Sequence, residues 1–331
     1  MSASKATASR RPPPQGGASD VGADRSSLQP VTPEPGLRVA VATPCLLGES
    51  PLWHPTEQVL YYCDIPGKQL LRFDPRTGQR QTWDFECEPS AIAPLPDGRL
   101  LVSLRSGLWH FDPADGARHK LLDAPYPVAS QRFNDGKCDA RGRFWVGTIC
   151  TPLLPAKGTM QCYARGELKQ RFDGVSISNG LAWSPDGRVM YWADTQFNVL
   201  YAFDFDPDSG ELSRRRELRR FPIEEPGQPR DDYLGRPDGA AVDSQGCYWV
   251  AMYDGQRVLR LSPEGEILRQ VHLPVRCPTM PAFGGPDLKT LYITTAREHR
   301  PAAELAAQPL AGCVFALDVD VPGLPVNFAL P

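Results

Sequence analysis

The sequence lacks long apolar runs and an excess of basic residues. No apolar stretch approaches the about 20 residues that a helix needs to span a bilayer, which argues against a membrane protein. The net charge of −3 provides no basic surface of the kind that binds nucleic acid. We therefore expect a soluble chain, monomeric or weakly homo-oligomeric, whose partner is a small molecule.

The sequence also lacks paired cysteine motifs and the common catalytic signatures. Its nine cysteines form no CxxC pair, and their odd number argues against a disulfide framework. We expect buried thiols in a reducing cytoplasm. There is no HExxH motif or Cys/His spacing, so a structural zinc site is not expected, and no GxSxG elbow that would favour covalent catalysis.

The N-terminal segment differs in composition from the rest of the chain. Residues 1–36 are rich in proline, serine, glycine and alanine. Prolines follow Arg10 and Arg11, where an export signal would carry an apolar segment. This composition predicts a disordered tail over residues 1–36 and a single folded domain over residues 37–331.

An internal repeat dominates the remaining sequence. Six short stretches rich in aromatic and β-branched residues, which predict strands, begin at Leu60, Leu100, Phe144, Met190, Tyr248 and Leu291. Turn sequences such as PDG at 96–98 precede most of them, and a second strand follows each. Each unit of about 45 residues supplies about four strands. Six such units predict an all-β, six-bladed β-propeller with a central channel.

Two segments do not fit the regular repeat. The longest interval, 58 residues, predicts a long loop at about 214–235. Residues 37–43 form a spare strand before the first blade. We expect this strand to pair with the C-terminal strands and close the ring, because closure removes exposed sheet edges. No sustained 3.6-residue apolar period is present, which argues against an α/β or helical-repeat fold.

Polar residues recur at one position of the repeat, ten or eleven residues before a marker strand. They are Glu49, Asn134, Asn179 and Asp238. The strand before each marker should be the innermost of its blade, so these side chains should converge at the mouth of the channel. Carboxylate and amide oxygens suit hard divalent cations. The alternative is that Asp and Asn before glycine simply form turns. In the second and sixth blades the position falls at Ser90 and near Met280.

Two arginines stand two residues before members of this set. Residues two apart on a strand share a face, so Arg132 should point into the channel with Asn134 and could bind a substrate carbonyl or hydroxyl. A surface position for Arg132 remains the alternative. Arg236 has the same relation to Asp238, but Pro237 interrupts that strand.

Five segments resemble the regucalcin/gluconolactonase family, also called the senescence-marker-protein family. They are LGESPLW (47–53), RFNDGKCDARGRFWVGT (132–148), SNGLAWSPDG (178–187), RPDGAAVDSQGCYWVAMYDGQRVLRL (236–261) and FGGPDLKTLYITTAR (283–297). The resemblance implies a propeller with one divalent metal, which is calcium, zinc, manganese or iron in different members. By motif matching, it implies that Glu49, Asn179 and Asp238 bind the metal and that Arg132 and Asn134 contact substrate. Some members carry an acidic lid, whereas 147–160 here contains no acid.

The predicted function is metal-dependent hydrolysis of a sugar lactone to the aldonic acid. The metal would polarise the carbonyl, and Asp238 would act as general base for water. One alternative is a non-catalytic, calcium-binding regulatory propeller, which shares the site but turns over no lactone. Another is a hydrolase of organophosphate esters or of other lactones, which an apolar channel mouth would favour.

Overall fold

Six antiparallel sheets of four strands each form the fold in the part of the chain that the computed structural model describes, residues 32–229 and 232–330. The first three blades are β2 (Gly48–His54), β3 (Val59–Asp64), β4 (Gln69–Phe73) and β5 (Arg80–Asp84); β6 (Pro89–Pro94), β7 (Leu100–Leu104), β8 (Gly107–Phe111) and β9 (Arg118–Asp123); and β10 (Gln131–Cys138), β11 (Phe144–Cys150), β12 (Gly158–Ala164) and β13 (Glu167–Val175). The last three are β14 (Ser178–Trp183), β15 (Val189–Asp194), β16 (Val199–Phe205) and β17 (Leu212–Arg220); β18 (Arg236–Val242), β19 (Tyr248–Tyr253), β20 (Arg257–Leu261) and β21 (Ile267–His272); and β22 (Pro278–Gly284), β23 (Thr290–Thr295) and β24 (Val314–Asp318) with β1 (Arg38–Val41).

The predicted six-bladed β-propeller is confirmed. All six marker stretches are strands, and each is the second strand of its blade. The first strands, β2, β6, β10, β14, β18 and β22, contact one another in order, and β22 returns to β2. The innermost strands therefore enclose the central channel.

The core lies between the blades rather than inside any one of them. Each of the six buried apolar clusters combines residues of two neighbouring blades. Trp145 of the third blade, for example, packs against Trp183 and Phe205 of the fourth, with ring centroids 6.3 Å and 5.7 Å away. This packing fixes the position of each inner strand relative to the inner strand of the next blade.

The ring closes through the predicted spare strand. β1 pairs antiparallel with β24, with Arg38 opposite Ala316 and Val39 opposite Phe315. The Arg38 guanidinium also binds the Asp318 carboxylate, at 2.9 Å and 3.0 Å. The sixth blade is thus built from both ends of the described chain, as in propellers that protect their sheet edges.

The predicted loop at 214–235 is wrong in its first part. Residues 214–220 belong to β17, which pairs with β16 and places Glu217 opposite Tyr201. The charged residues suggested a loop, but the outermost strand of a blade faces solvent and tolerates them. The connection to β18 begins only at Phe221.

Residues 1–31 of the predicted tail lie outside the described residues. Within 32–36, the Glu34 amide donates to the His272 carbonyl at 2.9 Å, and the Glu34 carboxylate binds Arg269 at 2.5 Å. A short 3₁₀ helix (Thr195–Phe197) and α1 (Ala302–Ala307) complete the elements described. No helix in the described ranges is both long and apolar enough to cross a membrane.

All nine cysteines are free thiols, and eight of them are buried. This confirms the prediction that they form no disulfide framework. Burial raises the pKa of Cys63 and Cys138 well above the ordinary thiol value, so these two thiols stay protonated. They act as small apolar side chains of the core.

Candidate active site

The predicted site residues all lie on innermost strands, at a point where the strand is bulged. Glu49 lies on β2, Asn134 on β10, Asn179 on β14 and Asp238 on β18. The pairing register with the second strand shifts at or next to each of them. A β-bulge redirects side chains locally and is frequent beside active sites. The repeat therefore places one redirected polar side chain at the channel mouth in each of four blades, the first, third, fourth and fifth.

The backbone after two of these residues is left-handed. Ser50, directly after Glu49, has φ 50°, and Gly180, directly after Asn179, has φ 65°. At Gly180 space is also limited, since a Cβ would lie 2.2 Å from the Tyr248 hydroxyl. That hydroxyl donates to the Gly180 carbonyl at 2.6 Å. Glycine at 180 is therefore required for the bulge that presents Asn179.

A chain of hydrogen bonds links the third, fourth and fifth blades at the mouth. Arg132 Nη1 donates to Asn134 Oδ1 at 2.6 Å. Asn134 Nδ2 donates to Asn179 Oδ1 at 2.9 Å, and Asn179 Nδ2 donates to Thr195 Oγ1 at 2.8 Å. Thr195 in turn donates to the Pro237 carbonyl at 2.6 Å, next to Asp238.

This chain determines how the Asn179 amide is oriented. Thr195 has one hydroxyl proton, and the Pro237 carbonyl can only accept it. Thr195 Oγ1 must therefore accept from the Asn179 NH₂ group, which turns Asn179 Oδ1 toward Asn134. One lone pair of that oxygen accepts from Asn134 and the other is available for a ligand.

The two carboxylates of the predicted metal set repel each other. Burial, and then the charges of Asp238 and Asp135, raise the pKa of Glu49 well above its usual range. Burial and Asp135 do the same to the pKa of Asp238. Within the described residues no side chain donates a hydrogen bond to either carboxylate; the Ser50 amide donates to Glu49 at 3.3 Å. Both groups would gain from a nearby cation.

Asp135 and Lys137 lie deeper in the channel, and sequence reasoning did not single them out. Asp135 Oδ2 accepts from the Leu181 amide at 2.8 Å, while Oδ1 is buried without a hydrogen-bond partner. Lys137 Nζ donates to the Ala240 carbonyl at 2.8 Å. Burial raises the pKa of Asp135 and lowers that of Lys137, and each charge opposes the shift of the other. The sequence did offer one indication of them, because Asp135 and Lys137 follow Asn134 by one and three residues on the same inner strand.

Arg132 sits among further charged groups at the rim. Burial and then Arg105 lower its pKa, whereas Glu49 and Glu298 act in the opposite direction. Arg105 forms a 2.8 Å ion pair with Glu88. Glu298, which the sequence did not indicate, lies close enough to Arg132 for their charges to interact. It supplies a carboxylate at the rim, whereas residues 147–160 contain no acidic residue.

Two other positions of the register do not contribute polar groups to the mouth. Ser90 Oγ lies 3.3 Å from the Ser103 carbonyl in its own blade. Met280 is buried against Gly239, where a Cβ would lie 2.4 Å from the methionine Cβ. At the opposite end of the channel, a separate cavity of about 560 Å³ contains none of the predicted site residues.

The donor set fits a hard divalent cation better than zinc or iron of the Cys/His type. In residues 32–229 and 232–330, no group of three or more His, Cys, Asp or Glu side chains could hold a metal ion. A cation at the mouth would therefore depend on two carboxylates, Glu49 and Asp238, together with the oriented oxygen of Asn179. Oxygen ligands of this kind suit calcium, magnesium or manganese.

Comparison with known proteins gives concordant results. The family described as "SMP-30/Gluconolactonase/LRE-like region" matches residues 47–297. The chain is 45% identical over 288 residues to the 6-deoxy-6-sulfogluconolactonase of Pseudomonas putida, covering 87% of this chain and 96% of that one. It is 34% identical over 289 residues to rabbit (Oryctolagus cuniculus) regucalcin, covering 85% and 94%.

Among solved structures, the chain is similar to a regucalcin of Agrobacterium tumefaciens that is described as a calcium-binding protein. The TM-score is 0.83 at 28% sequence identity, and the match covers 90% of this chain and 98% of the other. The likeness therefore extends over the whole propeller.

Proposed function

The chain belongs to the SMP-30/gluconolactonase/LRE-like family, and from that premise we propose that it hydrolyses an aldonolactone to the aldonic acid with one divalent cation. The family match and the lactonase relative support lactone hydrolysis. The cation and the roles of individual residues are part of the proposal. The resemblance to the family leaves calcium, zinc, manganese and iron as candidates, and the all-oxygen donor set favours calcium or manganese among them.

One observation carries the proposal. Glu49 and Asp238 meet at the channel mouth, and each has a pKa raised by burial and by neighbouring acids. Asn179 presents a free lone pair in the hydrogen-bond chain that ends beside Asp238. Two carboxylates neutralise one divalent charge, and the amide supplies a third oxygen. A merely structural set of turn residues would not need two unpaired acids so close together.

Glu49, Asn179 and Asp238 are the residues that would hold the cation. When bound, it supplies a Lewis acid that polarises the lactone carbonyl and stabilises the developing oxyanion. Asp238 accepts a proton from the attacking water and returns it to the ring oxygen as the acyl–oxygen bond breaks. For that step Asp238 must be ionised, which a neighbouring positive charge favours.

Arg132 is the residue best placed to orient the substrate. Only its Nη1 bonds to the protein, at Asn134 Oδ1 and the Phe133 carbonyl, so among the described residues Nε and Nη2 have no acceptor. These N–H groups can bind the lactone carbonyl or a sugar hydroxyl. Asn134 is more restricted, because its amino group already donates to Ser178 and Asn179. It can only accept from a substrate hydroxyl, through Oδ1.

The name of one relative narrows the candidate substrates. The 45% identical Pseudomonas protein is a 6-deoxy-6-sulfogluconolactonase. We include among the candidates for this chain both unsubstituted aldonolactones and glucono-lactones with an acidic group at carbon 6. The polar and charged residues around Arg132 favour sugars over non-sugar lactones or organophosphate esters.

Asp238→Asn tests the proposed role of Asp238. The amide retains an oxygen ligand but cannot take a proton from water. We expect kcat on the accepted lactone to fall by about 10²-fold or more, the usual range for loss of a general base, with cation binding weakened but measurable. Stopped-flow pH-indicator assays measure the first effect and calorimetry the second.

Asp186→Asn is the matched control, because Asp186 lies exposed in the β14–β15 turn at the other end of the channel. It should leave kcat unchanged. Full metal-dependent activity in Asp238→Asn would rule out Asp238 as the base. A wild-type protein that binds calcium and hydrolyses no lactone would favour the regulatory alternative.

A further inference from the structure

Three arginines converge on one carboxylate at the rim of the channel. Asp254, in the turn after β19, accepts from Arg236 Nη2, from Arg276 Nε at 3.2 Å and from Arg300 Nη1 at 3.0 Å. Glu304 of α1 binds Arg300 through two further contacts of 2.8 Å and 2.9 Å. We call Arg236, Arg276 and Arg300 the arginine cluster. Three guanidinium cations thus face two carboxylates.

The donors of these arginines are used unequally. A guanidinium carries five N–H groups on three nitrogens. Arg300 engages all three nitrogens with Asp254 and Glu304. Arg236 and Arg276 each bond to Asp254 through one nitrogen, and their other N–H groups donate to no residue that the structure describes. Arg300 therefore has a structural role, whereas Arg236 and Arg276 have N–H groups available to bind a ligand.

The cluster is held rigidly. Burial acts to raise the pKa of Asp254, but the three arginines together lower it below its usual value, so Asp254 is the ionised anchor of the group. The Arg236 guanidinium also lies over the Tyr253 ring, 5.2 Å from its centroid. The Arg276 side chain is only 9% exposed and that of Arg236 37%. Two fixed guanidinium groups, one of them partly exposed, suit recognition of a planar or tetrahedral anion.

The cluster also lies beside the proposed reaction centre. Arg236 precedes Asp238 by two residues on β18. Its positive charge acts on the Asp238 carboxyl, opposing the rise in pKa that burial and Asp135 cause. Arg236, held by Asp254, therefore connects the arginine cluster to the strand that carries Asp238.

We propose that Arg236 and Arg276 form an anion subsite that binds a sulfonate, phosphate or carboxylate group carried by the lactone. The inference rests on the proposed lactonase function and adds to it the class of substrate. Asp254 and the Arg300–Glu304 pair position the two arginines and need not touch the ligand. The unused N–H groups supply the bidentate contacts that such anions prefer.

Steady-state kinetics of the full-length, metal-loaded protein test the subsite. The substrates are glucono-1,5-lactone, its 6-phospho and 6-deoxy-6-sulfo derivatives, and a glucaric acid lactone for the carboxylate. In Arg236→Gln and Arg276→Gln, kcat/KM should fall about 10- to 100-fold more for the preferred anionic lactone than for the neutral one, the range that loss of one charged hydrogen-bonding partner produces. Arg276→Gln should change the neutral value less than about 3-fold, whereas Arg236→Gln also removes a charge that acts on Asp238 and should lower it further. Arg38→Gln, on the outer strand β1, is the control and should change neither.

A second readout does not depend on turnover. Binding of 6-phosphogluconate and of gluconate is measured by calorimetry in the wild type and both variants, and thermal unfolding shows that the variants fold. Tighter binding of 6-phosphogluconate in the wild type, lost in Arg236→Gln and partly kept in Arg236→Lys, supports the subsite even if no lactone is hydrolysed. In that case only the lactonase proposal fails.

The same two measurements can also overturn the subsite while leaving the lactonase function intact. If the wild type hydrolyses neutral and anionic lactones with equal kcat/KM and binds gluconate as tightly as 6-phosphogluconate, the subsite is overturned whatever the variants do. The lactonase function then stands. An equal loss on all substrates in Arg236→Gln would assign that residue a structural role.

Discussion

At the scale of single residues, the proposed cation site depends on the orientation of the Asn179 amide. Thr195 imposes that orientation, because it can only accept from Asn179 once its proton is given to the Pro237 carbonyl. Without this contact the amide could turn its NH₂ group toward the site and repel a cation. Thr195 is therefore a positioning residue for the proposed metal site.

Thr195→Val tests this role. The variant keeps the shape of the side chain and removes both hydrogen bonds. We expect calcium or manganese affinity to fall about 10- to 100-fold, as for other residues that orient metal ligands, with kcat/KM falling in parallel. Calorimetric titration of the purified protein measures the affinity.

Thr295→Val is the matched control for that prediction. Thr295, at the end of β23, is also buried and donates to a carbonyl, that of Cys313, at 2.6 Å. Both variants should lose similar stability, since each loses a buried donor. Equal cation affinity in the two variants would contradict the positioning role of Thr195.

The raised pKa values of Glu49 and Asp238 predict how the cation-free protein responds to pH. In the unfolded chain these carboxyls ionise near pH 4, whereas in the folded chain they hold their protons to higher pH. Their contribution to the free energy of unfolding is therefore greatest below about pH 4 and is lost as the pH rises through the folded-state values. The contribution of these two carboxyls to the free energy of unfolding of the cation-free protein should therefore be larger at acidic pH than at alkaline pH.

Glu49→Gln checks the prediction in chelator-treated protein. Removing one of the two acids should raise Tm at pH 8 by about 1–2 °C, which corresponds to about 1 kcal/mol in a protein of 331 residues, and flatten the dependence of Tm on pH between pH 5 and 8. Glu167→Gln on the outer strand β13 should change neither. A lower Tm for Glu49→Gln at pH 8, with an unchanged slope, would refute the electrostatic account.

Part of this site could be predicted from the sequence because its residues follow the repeat. Glu49, Asn179 and Asp238 repeat at one position of the blade, so their convergence could be predicted from spacing. Thr195 and Asp135 occupy no such position, and their roles depend on contacts between blades. The arginine cluster joins Arg236, at the start of β18, to Arg276 and Arg300, which lie in two connections for which the repeat provides no register.

At the scale of elements, the bulged inner strands and the closing strand perform separate tasks. The bulges present polar side chains, and β1 completes the sixth blade by pairing with β24. Closure depends on the buried face of a four-residue strand. A register shift between Val39 and Val41, which lie opposite Phe315 and Val314, places these two valines on different faces. Val41 is 2% exposed and packs with Tyr62 and Val314, whereas Val39 is 37% exposed. The stability of the ring should therefore be sensitive to the buried face alone.

Two substitutions on β1 separate those faces. Val41→Ala removes two buried methyl groups and should lower the free energy of unfolding by about 1–2 kcal/mol. Val39→Ala, two residues away on the exposed face, should change it by less than about 0.5 kcal/mol. Urea unfolding followed by tryptophan fluorescence measures both. Equal effects would mean that β1 does not close the ring through its buried face.

The outer strands show where element prediction from sequence fails. The second strands are buried and consist mainly of apolar residues. β17 carries five arginines among nine residues, a composition that suggested a loop. This charged segment forms a strand because it pairs with the edge of β16, which would otherwise be unpaired. The sequence alone does not show that this edge is available.

At the scale of the whole molecule, the six-fold repeat explains both the fold and the site. Residues as far apart as Glu49 and Asp238 meet because each blade delivers the same strand to the axis. The blade count follows from the period of the marker strands and could be predicted from the sequence, because each blade needs the same set of strands. Substrate chemistry follows from rim loops, which differ from blade to blade, and so needed the structure.

The far end of the molecule is closed by the C-terminal segment. The amides of Leu324, Ala329 and Leu330 donate to carbonyls of Val242, Pro94 and Gly142, which belong to the fifth, second and third blades. The segment thereby crosses the channel axis opposite the proposed site. The lactone should enter from the mouth that Glu49 and Asp238 face.

The central claim is that a cation at this mouth makes the protein a lactonase. The direct measurement is the rate of lactone hydrolysis by the full-length protein after chelation and after restoring calcium, zinc, manganese or iron one at a time. The panel contains glucono-, galactono-, xylono- and arabinonolactones and the 6-substituted gluconolactones. Chelated protein should lose activity, and at least one cation should restore it in the wild type but not in Asp238→Asn. Full activity in the chelated protein, or no hydrolysis with any cation, would contradict the account.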